Sequence, residues 1–360
     1  MNTRFLIVAI ISFFLMSCSS VRKDWEKAQA ENTTASYEYF LKRHPQSDFA
    51  AAASIKIEEL FYEIAKDEDI IPRYAAFLER FPRGGTAEKA KLKLEELVGQ
   101  RNPAFREAAR AMIIIKESYA EIDPSRLGSN RPRFETEAKK LLMRAGLDVL
   151  ASDSDEFDAI LEIDARGTPL WARYHGYGAK EAKLGGIRYS GAVLDGTITL
   201  KIPEGLAIKK AFSGKSETAS ELPPASYEFP YQAPFDLALR HSDYEDKLMA
   251  VLGQAFGPSP LLYSLKIGNS RAASALDKLG WTPKDPFQDV LFLLAKKQPD
   301  AIEKIGAPAV GPLIKILDYP SYRKQAAEVL TRITGNPFTE NFMEWKMWWE
   351  ANRAKYPGQK

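Results

Sequence analysis

The chain carries one cysteine in 360 residues. A lone thiol excludes an intramolecular disulfide and a cysteine-based metal site, so packed cores must hold the fold together. Histidine is almost as scarce. His44, His175 and His241 are widely separated and none has metal-ligand spacing. No G-x-S-x-G, phosphate-binding loop or H-E-x-x-H is present. The acidic group Asp153, Asp155, Glu156 and Asp158 lacks the glycine and closing glutamate of a calcium loop, and reads as a solvated turn. No catalytic constellation, metal site or cofactor is therefore expected. Charge of one sign is also missing: 50 basic and 48 acidic side chains leave a net charge of +2. With no long block of either sign, a nucleic-acid groove or polybasic membrane patch is not indicated. The apolar run from Phe5 to Met16, broken only by Ser12, is too short for a spanning helix, which needs roughly twenty residues.

That run belongs to a different kind of signal. A short basic start at Met1 to Arg4, the apolar core, and a small residue before a cleavage point make a secretory leader. Its end, Leu15-Met16-Ser17-Cys18, resembles the lipobox of bacterial lipoproteins. The resemblance implies cleavage before Cys18, a diacylglyceryl group on its thiol, and a further acyl chain on the freed amine. Several chains matter because one alone binds a membrane only reversibly. Ser19 follows the cysteine, where an aspartate would resemble an inner-membrane retention signal. The resemblance thus implies an outer-membrane anchor facing the periplasm.

The N-terminal third repeats itself. Tyr37, Phe40, Leu41, Pro45, Ala53, Ile57 and Leu60 recur as Tyr74, Phe77, Leu78, Pro82, Ala90, Leu94 and Leu97. Tyr37, Phe40 and Leu41 share one helical face. Pro45 and Pro82 each stop a helix, and Ala53, Ile57 and Leu60 make the inward stripe of the next. His44 stands at the helix-end position matched by Phe81, which gives it a structural reading. A single hairpin cannot bury its stripe alone, so neighbours must stack. The stretch from Asp24 to Gly99 resembles tetratricopeptide repeats, especially those of envelope lipoproteins ending in Y-x-x-F-L-x-x-x-P. That resemblance implies a concave face for a peptide or protein; a helical spacer is the alternative.

After Pro103 the pattern changes. Ala111 to Lys116 is a β-branched run, Phe134 to Ala145 is helical, and Leu147 to Leu150 reads as a strand. Ala159 to Ala165 alternates apolar and polar residues, as a half-buried strand does. Tyr189 to Ile202 and Gly205 to Phe212 continue the pattern. The order predicts an α+β sandwich of one antiparallel sheet with one or two helices. The glycine-rich stretches 174–178 and 184–186 read as long hairpin connections, and Ser213 to Pro234 as an exposed linker or loop.

From Phe235 onward the chain reads as helical again. Ala272, Leu276 and Leu279 match Ala326, Leu330 and Ile333 at a constant spacing, each series ending near Gly280 or Gly335. Between them, Gly306 ends a helix and Pro308 sits near the first turn of the next, with Pro312 still within it. The pattern Ile305-Gly306-x-Pro308-Ala309-Val310-x-Pro312-Leu313-Ile314, followed by Arg323, Ala326, Ala327 and Leu330, resembles bacterial HEAT-type repeats. Trp345, Trp348 and Trp349 form an aromatic stripe at i, i+3 and i+4. It reads either as the inner face of a capping helix or as an exposed partner surface.

The expected architecture is multidomain α plus α/β: tetratricopeptide-like helical hairpins, a central α+β sandwich and a C-terminal HEAT-like α-solenoid. The expected boundaries are 1–17 for the signal peptide, 18–23 for the lipidated tether, and 24–100, 101–234 and 235–360 for the three domains. The expected function is a lipid-anchored adaptor that binds envelope proteins, touches the membrane through Cys18 and does not bind nucleic acid. Two alternatives are a lipid- or glycan-binding factor of outer-membrane assembly and a divergent enzyme with its site beside the sheet.

Overall fold

Tyr37 and Tyr74 each bury an aromatic ring whose hydroxyl still needs a partner, and the chain answers both in the same way. In the computed structural model, which describes residues 20–120, 129–151, 156–174, 186–203, 205–216 and 232–356, two compact units form, Met1–Glu96 and Leu97–Lys360. Cys18 and its leader, His175, Asp153 and Asp155, most of the glycine-rich loops and 217–231 lie outside the described residues.

The first unit is built of helices: α1 (20–31), α2 (Thr34–Arg43), α3 (Ala50–Glu68), α4 (Ile71–Arg80) and the start of α5 (Ala87–Gly99). The Tyr37 hydroxyl donates to Asn32 Oδ1 at 3.2 Å, and the Tyr74 hydroxyl donates to Asp69 Oδ1 at 3.3 Å. Asn32 and Asp69 sit in the left-handed region, at φ 45° and 52°, where Asn and Asp are the best tolerated side chains after glycine. The N–H of His44 closes α2 on Phe40 O, and that of Phe81 closes α4 on Phe77 O, both at 2.8 Å. Thus the sequence spacing from Tyr37 to Tyr74 recurs in backbone geometry as well as in composition. Ala53 and Ala90 are fully buried, the close approach their small side chains permit. Trp25 packs on Tyr37, Phe40 and Phe49 with ring centroids 5.7, 5.3 and 5.3 Å apart. Tyr62, one repeat later, packs on Phe77 at 5.5 Å.

The second unit opens with β1 (Arg110–Tyr119), α6 (Arg131–Arg144), β2 (Asp148–Leu150), β3 (Ala159–Tyr174), β4 (Gly186–Lys201) and β5 (Ala207–Ser216). The sheet order is β2-β1-β3-β4-β5. β1 pairs in parallel with both β2 and β3, while β3-β4-β5 is antiparallel. The expected antiparallel sheet is therefore corrected to a mixed one. The cause is the crossover: α6 returns the chain to the starting end before β2, which a tight hairpin cannot do. Alternation puts Ile113, Leu161, Ile163, Leu194, Ile198, Leu200 and Phe212 on a buried face. The opposite face carries Lys116, Glu162, Asp164, Arg166 and Lys209, with Glu162 bridging Lys116 and Lys201.

The buried face is covered by α6 and by α7 (Gln232–Arg240) and α8 (Tyr244–Phe256). Tyr244 of α8 meets Phe134 of α6 and Phe212 of β5 edge to face at 4.9 and 5.2 Å, the two phenylalanine rings lie tilted at 6.0 Å, and the Tyr244 hydroxyl donates to Phe134 O at 3.0 Å. Phe235 of α7 packs on Tyr119 at 4.8 Å. The crossing needs Gly167, because a Cβ there would lie 2.4 Å from the Tyr119 ring and 2.5 Å from that of Phe235. Among the described residues no break in the core falls at the expected 234/235 boundary: α7 and α8 complete the core of the sheet. The segment expected as linker from Ser213 to Pro234 is strand to Ser216 and helix from Gln232.

The same core continues through α9 (Ser259–Lys266), α10 (Arg271–Lys278), α11 (Pro286–Ala295), α12 (Pro299–Ile305), α13 (Val310–Ile316), α14 (Arg323–Thr334) and α15 (Phe342–Asn352). Ala272 and Leu276 of α10 and Ala326 and Leu330 of α14 are fully buried. Gly280, Gly306 and Gly335 follow helix ends at φ 69°, 69° and 75°, backbone angles that favour glycine. Substituting Phe134 by Ala should cost about 3–5 kcal/mol, the range for a buried aromatic. Urea unfolding monitored separately at the sheet and at α14 should shift together, because both elements share one core.

Candidate interaction surfaces

In open α/β sheets, anions gather where a parallel strand ends and the following helix begins, because free backbone N–H groups point there. Here that position lies between the end of β1 and the start of α6, and the protein fills it with its own carboxylate. Asn130 N–H and the Tyr119 hydroxyl each donate to Glu117 Oε1 at 2.8 Å, and the Ser129 hydroxyl donates to Glu117 Oε2. Burial, reinforced by the Glu117 charge, raises the Tyr119 hydroxyl well above the ordinary phenol range. Sequence reasoning missed Glu117. The available signal was its parity with Ile113 and Ile115, which turns it toward the covered face.

The acidic cluster is similarly engaged. Asp158 accepts the backbone N–H of Ala109 at 3.0 Å and of Arg110 at 2.8 Å, and the Arg110 guanidinium reaches its other oxygen at 3.3 Å. These contacts, the Arg110 side chain first, hold the Asp158 carboxyl below its usual range. Glu156 takes the other arm of Arg110 at 2.7 Å. The pair locks the start of β1 to the segment before β3. Among the described residues no three His, Cys, Asp or Glu side chains are grouped as metal ligands. His241 Nδ1 lies 3.3 Å from Lys215 O.

A groove of about 380 Å³ runs between α6 and the α7–α8 corner, lined by Pro132, Arg133, Thr136, Glu137, Leu239 and Tyr244 among others. Three of its polar groups already have partners: Arg133 pairs with Asp236 at 3.2 Å, Glu137 with Lys140 at 2.8 Å, and Tyr244 donates into the core. Burial raises the Tyr244 hydroxyl above its ordinary range. The groove thus offers a shape with few unengaged polar groups on its floor.

In the first unit, one polar exchange distinguishes the two repeats. His44 Nε2 lies 2.7 Å from Asp24 Oδ2, and Arg43 reaches the same oxygen at 3.0 Å. The equivalent positions one repeat later are Phe81 and Phe61, whose rings pack at 5.6 Å. The expected structural role of His44 thus takes the form of a helix-end lock. Ile55 and Leu92, also equivalent, are 57% and 59% exposed, so consecutive repeats leave the same apolar position uncovered.

At the C-terminus, Trp345 is fully buried and its indole N–H donates to Thr339 O at 2.9 Å. It packs edge-on against Phe338 at 5.0 Å and Trp348 at 5.7 Å. Of the two readings of this stripe, the exposed partner surface is corrected at Trp345, which faces the core as the inner face of a capping helix would. Trp348 and Trp349 are half-buried, against Tyr356. The exposed apolar residues of α15 are Met343 and Met347, 62% and 64% accessible. Being four apart, they form a stripe on the opposite side of the helix.

The hydrogen bond from His44, with Arg43 nearby, lowers the Asp24 carboxyl from its ordinary 3.8. A depressed folded value means stability that is present above 3.8 and lost as pH falls through the lower folded value. Asp24→Asn should therefore lower the thermal midpoint at pH 5, with the gap to wild type closing as pH is taken below 3.8. Glu117→Ala strands the Asn130 N–H and should cost about 1–3 kcal/mol in chemical denaturation. The same variant should gain stabilisation by inorganic phosphate that wild type lacks, because it vacates the anion position.

Neither a protein-family model nor a curated protein sequence matches this chain.

Proposed function

We propose that this chain is a bacterial envelope lipoprotein, anchored by acyl chains on Cys18, that holds protein partners on its helical modules. One observation carries the reading: the sole cysteine stands directly behind a basic start, an apolar run and a small residue. Among the described residues no helix is long and apolar enough to cross a membrane. A lipid tether supplies attachment without one.

The adaptor half of the proposal rests on repeated geometry. The Tyr37–Asn32 and Tyr74–Asp69 bonds, and the matched exposure of Ile55 and Leu92, support a tetratricopeptide-like pair of repeats with one repeated surface position. The buried Ala272–Leu276 and Ala326–Leu330 sets, with Gly280 and Gly335 behind them, support a HEAT-like arrangement of the later helices. Glu117, Asp158 and Asp24 are each engaged within the fold, which favours surfaces over a catalytic centre. The expected site of action is the periplasmic face of the outer membrane, where such a tether would leave both units facing soluble and membrane-bound proteins.

The test is paired labelling and crosslinking in intact cells. Wild type should incorporate a fatty-acid analogue, fractionate with membranes and crosslink to defined envelope proteins. Cys18→Ala should lose the label and the membrane fraction. Equal labelling of the variant would refute the anchor, and crosslinks no richer than those of an unrelated lipoprotein would refute the adaptor.

A further inference from the structure

Among the described residues β5 ends the sheet and is paired only with β4. In an antiparallel pair, every second residue turns its N–H and C=O away from the partner strand. Ser213 identifies the outward set: its N–H donates to Asp243 Oδ1 at 2.9 Å, and its carbonyl accepts the Asp243 N–H at 3.1 Å. The register with β4 is unbroken from Ala207 to Ser216. By the same parity, the N–H and C=O groups of Ala207, Lys209 and Ala211 point outward, and no hydrogen bond among the described residues reaches them.

This stretch is held in place and open. Ile208 and Phe212, on the alternate positions, are buried in the core and fix the strand. Ala207, Lys209 and Ala211 are exposed, and the two alanines leave the backbone approachable. Asp243 closes the edge at Ser213, which sets the limit of the free stretch. The unpaired charge beside it is basic: Lys209 and Lys210 enter no ion pair among the described residues, whereas Asp243 is paired with Lys247 at 3.2 Å and Lys201 with Glu162 at 3.1 Å.

We propose that the β5 edge from Ala207 to Ala211 receives an extended acidic segment of a partner protein as an added antiparallel strand. Main-chain hydrogen bonds would supply affinity, and alternate carboxylates on the open face, beside Lys209, would supply selection. A second copy of the chain is a poorer occupant. Two β5 edges joined across a two-fold axis bring Lys209 and Lys210 of each against the other, and like charges facing across a sheet destabilise it. The proposal names one surface of the adaptor above and rests on that reading.

The test uses the full mature chain, amide hydrogen exchange by NMR, and two synthetic peptides. One is acetyl-Thr-Glu-Val-Glu-Val-Glu-Thr-amide; the other has lysine in place of each glutamate. Without peptide, the Lys209 and Ala211 amides should exchange about tenfold or more faster than those of Lys210 and Phe212, which bond to β4. Saturating acidic peptide should slow Lys209 and Ala211 by about tenfold, and the lysine peptide should not. Ala211→Pro removes an outward N–H without touching the β4 ladder and should abolish the protection. Lys209→Glu, which leaves the backbone intact, should reverse the preference between the two peptides. Unchanged exchange with the acidic peptide, or equal protection by both peptides, would overturn the proposal. A concentration-dependent dimer in sedimentation, lost in Ala211→Pro, would overturn it in favour of a second copy. If peptide protection fails while envelope crosslinks persist, the edge falls and the adaptor stands; if the crosslinks themselves are absent, the adaptor reading falls with it.

Discussion

The larger unit depends on the meeting of Phe134, Phe212 and Tyr244. These three rings come from the crossover helix, the edge strand and the first long helix after the sheet, and they pack within 6.0 Å of one another, Tyr244 edge to face on both phenylalanines. The Tyr244 hydroxyl donates to the Phe134 carbonyl, so a polar group that burial would otherwise penalise is bonded instead. Around this point the sheet gains its cover and the later helices gain a floor. Without α7 and α8 the apolar face of β3, β4 and β5 would lie open, and a one-faced sheet must be covered by another layer.

A second constraint runs through the polar residues. Glu117 fills the helix-start position that an open α/β sheet usually offers to an anion. Asp158 and Glu156 divide the Arg110 guanidinium between them. Arg101, largely buried, donates to the carbonyls of Arg106, Ala108 and Ala145 and ties the entrance of the unit to the end of α6. Groups engaged in this way hold the frame still. Among the described residues, what the frame leaves uncovered includes apolar side chains at Ile55, Leu92, Met343 and Met347.

The smaller unit gives the clearest case of one geometry written in two chemistries. Asp24 with His44, and Phe61 with Phe81, occupy equivalent places at a helix end. The first is a charged hydrogen bond sensitive to acid, the second an aromatic contact that is not. Each side chain only has to reach its partner across the same gap between helices, so the backbone tolerates either pair.

The sequence by itself determined what is periodic or local. The helix stops at Pro45 and Pro82, the glycine ends at Gly280, Gly306 and Gly335, and the strand alternation from Ala159 to Ala165 were legible because each depends on residues within a turn or two of one another, and the recurrence from Tyr37 to Tyr74 because the same local pattern is written twice. The single cysteine and the dearth of histidine were equally plain in composition. Strand order, parallel pairing and core boundaries were decided only by tertiary structure. β1 joins β3 across about fifty residues, and the face that α7 covers is fixed by strands before it. Trp345 shows the same limit at one residue. Its spacing with Trp348 and Trp349 placed it on a helix face, but only the packing of α15 on the core decided that this face points inward and that Met343 and Met347 point out. Periodicity fixes which side chains lie together; which side meets solvent depends on what distant segments have already covered.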